Sequence, residues 1–351
     1  MTEDQTSGEN VRGVTSQQLR ELLQESMYWT PRQMWDFQAL QLEQLVRHAW
    51  THVPLYTDRL RCLIRPDGSV DLSRWSEVPI VQRKDLQQHR VLMLSPHLPR
   101  GHGRAVVGRT SGSSGRPIAV DFSELFSLVS SMAWERASRL HDIPFEKGIA
   151  EFQALLPDGQ SMTVSTYQLP RGPTNPPKFL LNRKLPTPEK LRALAETKTA
   201  VLVDVPNHAE VLARENLRQG RPVSLHTFVA IGMAVSPLQE ELISRSFGAR
   251  VFSPYSSMEG GMLGFQCATQ RSNFHINSEL VLLEIVDAED KPVRPGEAGR
   301  VIITPLFNAA QPLIRYEQGD IVVRGPPCSC GLTLPVLSKI QRNVDDMLHM
   351  P

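Results

Sequence analysis

Cysteine is scarce. Four residues in a chain of 351 are too few to staple a fold of this size, which excludes a disulfide scaffold. Charge of one sign is also missing. Lys and Arg number 38 against 37 Asp and Glu, a formal charge of +1, so no global excess exists to hold a nucleic-acid backbone or an anionic membrane. No run approaches the roughly 18 consecutive apolar residues of a spanning helix; the best, Ala200 to Val205 and Val301 to Thr304, have strand length. Met1 to Asn10 is acidic and polar where a secretory leader needs basic residues ahead of an apolar stretch. Together these absences predict a soluble, cytoplasmic protein with reduced thiols and neither a nucleic-acid nor a membrane partner.

What is present suffices for one large domain or two ordinary ones, since 40% of the residues are apolar. Residues 1–14 read as disordered. A helical pattern begins at Ser16 with Leu19, Leu22, Leu23 and Met27 on one face, and a second runs from Pro31 to Trp50. Val78 to Val81 is a short strand or turn, followed by a polar helix near Asp85 to His89. Strand character at Ala105 to Val107 runs into a loop of hydroxyl residues and glycines, resumes at Ile118 to Val120, and gives way to a helix from about Ser123 to Leu140. Alternating strand and helix signals between 105 and 250 point to an α/β fold.

The loop reads Thr110-Ser111-Gly112-Ser113-Ser114-Gly115-Arg116-Pro117. Its backbone N–H groups and hydroxyls are suited to converge on phosphate oxygens, and Arg116 adds charge. An exposed turn between strands accounts for the same residues, and neither the Walker nor the dinucleotide-binding glycine pattern is matched. Further on, Cys267, His275, Cys328 and Cys330 supply three thiols and an imidazole, the donor set of a closed structural zinc site. The gap from 275 to 328 is unlike compact finger spacing, and unlinked core cysteines with a strand histidine remain the other reading.

Three motifs in order carry a resemblance. The loop at 110–117 resembles the phosphate-binding loop of the acyl-adenylate-forming superfamily, Ser253 to Glu259 its Y-x-x-x-E motif, and Pro312 to Asp320 its R-Y-x-x-G-D motif. Their starts lie about 140 and about 60 residues apart. His275 to Asn277, Pro295 to Glu297, Cys328 to Gly331, Val344 to Leu348 and the early His48 to Tyr56 segment resemble the phenylacetate-CoA ligase branch, so the likeness covers roughly residues 35–348.

The resemblance implies ATP, Mg²⁺ and CoA or an acyl-CoA as cofactors, and a small carboxylic acid or its CoA thioester as substrate. Tyr255 would pack on the adenine, Glu259 would help hold Mg²⁺, and Asp320 would accept hydrogen bonds from the ribose hydroxyls. Thr110, Ser111, Gly112, Ser113, Ser114 and Gly115 would cradle the phosphates, with Arg116 catalytic. Phe126, Trp134, Phe228 and Gly232 are candidates for the acid pocket. Some relatives carry a metal knot that Cys267, His275, Cys328 and Cys330 would form. The fold implied is the N-terminal region of an adenylate-forming enzyme over residues 15–343: two α/β layers with mixed sheets, then a distorted β-barrel-like part at about 250–340.

Departures from the family pattern matter equally. Arg116 stands where the loop has lysine, and the arginine before the hinge is missing unless Arg342 substitutes. Ile231 to Ala234 lacks the usual Gly-Glu, and the chain ends at Pro351, leaving 344–351 as a hinge stub without the family's lysine-bearing C-terminal domain. The leading expectation is therefore acid activation with thioester formation dependent on a partner, such as a separate chain bearing the C-terminal domain. The alternatives are ATP-independent acyl transfer from CoA to an acyl carrier protein and a non-catalytic binding subunit.

Overall fold

The computed structural model describes residues 10–11, 14–109, 118–153, 156, 160–166 and 177–341. The loop at 110–117 and Arg342 lie outside these residues. The chain divides into two compact units, Met1–Ala133 with Ser256–Pro351, and Trp134–Tyr255.

In the first unit, β1 (Asn10–Val11) pairs antiparallel with β2 (Val14–Thr15), at the end of the 1–14 stretch expected to be disordered. Helix α1 (Ser16–Glu25) buries Leu23. Helix α2 (Pro31–His52) begins at a capping box, where Thr30 Oγ1 accepts from Gln33 N and Gln33 Oε1 accepts from Thr30 N, with Pro31 in the first turn. It stops just short of Pro54, which cannot continue it. Met34, Leu42, Leu45, Val46 and Ala49 form its buried stripe, and Gln38 donates to the Ser278 carbonyl at 2.7 Å. The short helices α3 (Tyr56–Arg59) and α4 (Arg83–His89) follow. Strands β3 (Ala105–Arg109) and β4 (Ala119–Ser123) form a hairpin around the loop at 110–117, and α5 (Glu124–Leu140) leads across the unit boundary.

The second unit is an α/β layer. Its strands are β5 (Ile149–Gln153), β6 (Met162–Thr166), β7 (Pro177–Asn182), β8 (Val201–Asp204), β9 (Thr227–Ala230) and β10 (Arg250–Phe252). They lie in the order β10-β9-β8-β5-β7-β6, parallel except for antiparallel β6. Helices α6 (Thr187–Thr197), α7 (Pro206–Arg218) and α8 (Pro237–Phe247) each carry a proline in the first turn. Gly248, at φ 69°, ends α8 in the left-handed region that glycine enters without penalty. The continuous apolar runs of β8 and β9 suit strands covered on both faces. Leu202, Phe228, Leu212 and Phe247 are central to this unit's core.

The chain returns to the first unit through β11 (Pro254–Ser257), β12 (Gly261–Gln266), β13 (Phe274–Ile276), β14 (Val281–Val286), β15 (Ala298–Pro305), β16 (Tyr316–Arg324) and β17 (Val336–Gln341). The sheet order is β11-β12-β13-β17-β16-β15-β14. The mixed α/β class expected from the resemblance is the one adopted. Among the described residues the β-rich part is an open seven-stranded sheet rather than a closed barrel.

Tyr56 ties the N-terminal helices to this sheet. Its hydroxyl donates to the Pro312 carbonyl at 2.8 Å and accepts from Ile314 N at 3.0 Å, with the side chain fully buried. Tyr56→Phe leaves that carbonyl and that N–H buried without the hydroxyl, so a loss of about 1–3 kcal/mol is expected. Urea unfolding of parent and variant measures it, and a difference within error would show that the two backbone groups find other partners.

Candidate functional site

Ser257 and Glu259, from the end of the Y-x-x-x-E segment, meet the R-Y-x-x-G-D segment at one place in the first unit. Glu259 follows β11 in the turn to β12 and is buried, 4% exposed. The turn is held by Gly260 N donating to Ser257 Oγ at 2.9 Å, and Ser257 Oγ donates to Gln318 Oε1 at 3.3 Å, joining the two segments directly. Gly261, at φ 67°, brings the chain close to α5: a Cβ there would sit 2.9 Å from Phe126 Cζ and Ser130 Oγ. Met262 N donates to that same Ser130 Oγ.

A bulge aims the second segment. Arg300 and Ile302 of β15 pair with Ile321 and Glu317 of β16, so Gln318, Gly319 and Asp320 together face Val301. Gly319 takes φ 85°, which fits the glycine of the motif. The three residues are half-buried, and Asp320 lies near enough to Glu259 for its charge to act on it.

Burial pushes the Glu259 carboxyl above the ordinary range. Arg83, 3.9 Å away, and the Tyr316 hydroxyl pull it down, while Asp320 pushes it up. Burial and the Glu259 charge also raise Tyr316, which keeps its proton. Arg83, on the polar helix α4, and Tyr316 were not singled out from the sequence. The residue before Tyr316 has a different job. Arg315 is buried at φ 52°, paired with Glu284 at 3.1 Å and donating to the carbonyls of Ser76 and Val78, a structural tie.

The other expected site residues distribute as follows. Tyr255 is buried at the end of the second unit. Trp134 is half-buried and edge-on to Phe252, while Phe228 is fully buried in that unit's core. Gly232, at φ 75°, follows β9, and a Cβ there would come within 3.3 Å of Val205 Cγ1. Phe126, in the first unit, is buried beside Phe122. Thr110 to Arg116 and Arg342 fall outside the described residues. The C-terminal edge of the parallel sheet, where such folds take ligands, also gathers a cluster the sequence reading passed over. There Asp204, fully buried, accepts from Arg183 at 2.6 Å, from Val205 N at 2.8 Å and from His208.

Cys267, His275, Cys328 and Cys330 converge, their ligand atoms all within 4.8 Å of one another. The gap between His275 and Cys328 closes because β13 pairs with β17, His275 opposite Val336. Cys267 Sγ lies 3.7 Å from Cys328 Sγ, and Cys330 Sγ lies 3.3 Å from His275 Nε2. A disulfide requires about 2.05 Å between sulfurs. The edges of a tetrahedral zinc site with Zn–S about 2.3 Å and Zn–N about 2.05 Å are about 3.8 and 3.6 Å, so the spacing fits a metal. Burial alone would raise the Cys267 thiol, but hydrogen bonds from Thr269, Gln270 N and His275 outweigh it and bring the thiol to about 6. Cys330 is pushed up to about 11 by burial and by the neighbouring sulfurs. Asn273 Nδ2 also donates to Cys328 Sγ at 3.5 Å, the outer-shell support that thiolate ligands receive.

No family model matches the chain. Over 329 residues it is 24% identical to a phenylacetate-coenzyme A ligase of Thermus thermophilus, covering 89% of this chain and 70% of that protein. A phenylacetate-coenzyme A ligase of Aromatoleum evansii is 24% identical over 330 residues, with 89% and 72% covered. Among solved structures, a 2-hydroxyisobutyryl-CoA ligase in complex with 2-HIB-AMP and CoA superposes with a TM-score of 0.72 at 20% identity, over 92% of this chain and 71% of that one. The fold is that of an adenylate-forming CoA ligase.

The raised Glu259 carboxyl has a definite consequence for stability. A carboxyl whose folded value lies above its unfolded value contributes stability at low pH and loses that contribution as pH rises through the folded value. Glu259→Gln is therefore expected to melt higher than the parent at about pH 7.5 without nucleotide or Mg²⁺. The advantage should shrink toward about pH 4.5, near the ordinary carboxyl value. Melting curves at the two pH values check this, and a variant less stable at the higher pH would show the buried charge to be fully compensated.

Proposed function

From a chain whose sequence relatives are phenylacetate-CoA ligases and whose fold is that of an adenylate-forming CoA ligase, we propose that this protein activates a small carboxylic acid as its acyl-adenylate and passes the acyl group to the thiol of CoA. The observation that carries the reading is the meeting of Ser257 and Glu259 with Tyr316, Gln318 and Asp320. In the first step an oxygen of the substrate carboxylate attacks the α-phosphorus of ATP. A new P–O bond forms as the bond to the bridging oxygen of pyrophosphate breaks, and pyrophosphate leaves. The CoA thiolate then attacks the acyl carbon and AMP departs.

Such a reaction depends mainly on positioning and charge. Asp320, presented on the bulge beside Gly319, supplies a carboxylate for the two ribose hydroxyls. Glu259 supplies the carboxylate that would hold Mg²⁺, which when bound offsets charge on the triphosphate. Arg83, 3.9 Å away, only partly offsets its burial, which suits it to a divalent ion. Tyr316 donates to Glu259 and holds it in place. In this reading Tyr255 packs on the adenine, Thr110 to Gly115 cradle the phosphates with Arg116 as the charged end, and Arg342 serves the ribose.

Exchange of labelled pyrophosphate into ATP, run over a panel of aryl and alkyl carboxylic acids, tests the reading. Acid-dependent exchange is expected, and Asp320→Ala should lower it on the order of tenfold to a hundredfold, mainly through weaker nucleotide binding. Absence of exchange with every acid, together with ATP-free transfer from an acyl-CoA to a carrier protein, would overturn the proposal in favour of an acyltransferase.

The cysteine and histidine cluster is proposed to hold one zinc ion, with Cys267, His275, Cys328 and Cys330 as ligands. A site with four protein donors leaves no position for substrate, so its role is to fasten two loops of the seven-stranded sheet. About one zinc per chain is expected by elemental analysis of protein purified without chelator. Cys328→Ser should reduce both the metal content and the melting temperature. Less than about a tenth of an equivalent in the parent would sink the assignment.

A further inference from the structure

A cleft of about 980 Å³ opens in the first unit between α2, the turn ahead of β3 and the loop that follows β15. Arg47 and His48 line one wall, Arg100 and His102 the other, and Leu306 and Ala309 the floor. None of these residues belongs to the motifs above except His48, from the early segment. No carboxylate lines the cleft among the described residues. The nearby acid Glu124 is paired with Arg104 at 3.2 Å. Arg47 donates to the Gly68 carbonyl at 2.7 Å and Arg100 is exposed, and among the described residues neither guanidinium is paired with an acid.

The histidines are fixed from behind. His48 Nε2 lies 3.0 Å from the Ala309 carbonyl, and His102, buried, lies with Nδ1 3.3 Å from Ser123 Oγ. A chain of rings continues outward from His48 to His52 at 5.1 Å and from His52 to His97 at 5.6 Å. Two guanidinium forks on opposite walls, in a cavity at the upper end of ordinary ligand size, suit an anion with several oxygens spread along its length. One carboxylate would engage only one fork.

We propose that this cleft binds a phosphorylated small molecule, its di- or triphosphate lying between Arg47 and Arg100. The position gives such a ligand a route to the rest of the molecule. From His102 the chain runs into β3. On the other side Asn308 Nδ2 donates to the Asp121 carbonyl at 2.9 Å, and Gln311 Oε1 accepts from Asp121 N at 2.9 Å. One wall and the floor are thus tied to the β3–β4 hairpin that carries the loop at 110–117.

Pyrophosphate, a nucleotide and the diphosphate of CoA share the required chemistry. Titration calorimetry with inorganic pyrophosphate, ATP and CoA in separate arms, without Mg²⁺ and at constant ionic strength, distinguishes them. The proteins are the parent, an Arg47→Gln/Arg100→Gln double variant and Asp320→Ala. At least one probe should bind the parent and Asp320→Ala alike, and bind the double variant about tenfold or more weakly. Should the double variant fail to fold, Arg100→Gln alone, at an exposed side chain, should weaken binding in the same direction. Unchanged affinity in the arginine variants, loss confined to Asp320→Ala, or no binding by any probe up to about 10 mM would overturn the proposal. The inference is independent of adenylation: a chain that fails to exchange pyrophosphate into ATP would still show this binding.

Discussion

The pairing of β13 with β17 is the constraint on which most of the first unit's chemistry rests. Phe274 opposes Leu337 and His275 opposes Val336, across a stretch that makes three further strands before returning. This closure sets Cys328 and Cys330 beside Cys267 and His275. The neighbouring β12–β13 pairing tolerates little at Gly264, where a Cβ would come within 2.5 Å of the His275 carbonyl. The cysteine loop is also tied to the N-terminal helices, where Thr333 N donates to the Met27 carbonyl at 2.9 Å and Thr333 Oγ1 to the Trp29 carbonyl at 2.7 Å. A metal held at this place would crosslink segments that are distant in sequence, where loop closure in the unfolded chain is costly. On its other edge β17 pairs with β16, whose bulge opposite β15 presents Gln318 to Asp320.

Two buried charges in this sheet are handled in opposite ways, and the contrast separates scaffold from site. Arg315 is saturated by Glu284 and by two backbone carbonyls, and stands in the left-handed region at a tight approach of α4's leading segment to β16. Glu259 is held above the ordinary range by its burial, with Arg83 at 3.9 Å and a tyrosine hydroxyl set against a like charge at Asp320. A buried carboxylate left in that state is costly to the fold. Such a cost is characteristic of groups positioned for a ligand. The R-Y-x-x-G-D segment thus divides by burial: Arg315 supports the sheet, Tyr316 positions Glu259, and Gly319 with Asp320 stands half-buried on the bulge.

The β3–β4 hairpin links these features to the cationic cleft. Its strands are in register from Ala105 opposite Ser123 to Arg109 opposite Ala119. Its backbone is held by Asn308 and Gln311 from the segment that leads into Arg315 and Tyr316. Arg90 pairs with Asp121 from a third direction. One short run, residues 306–320, therefore forms the floor of the cleft, the clamp on the hairpin and the bulge at the nucleotide motifs.

By itself the sequence determined the local elements and the inventory of donors. Thr30, Pro31 and Gln33 specify where α2 starts because a capping box spans only four consecutive residues. Gly319 before Asp320 marks a bend for the same local reason, and the three thiols and one imidazole are visible as a set whatever the fold. Only the tertiary structure decided which of these meet. It brought Arg83 and Tyr316 to Glu259 and placed Phe228 wholly within a core. It also paired Asn10–Val11 with Val14–Thr15 in a segment whose composition reads as disorder. Strand order and register arise from long-range pairing, which leaves no periodic trace in the intervening residues. Burial, which decides whether a carboxyl or a guanidinium is scaffold or site, is a property of the neighbours that such pairing supplies.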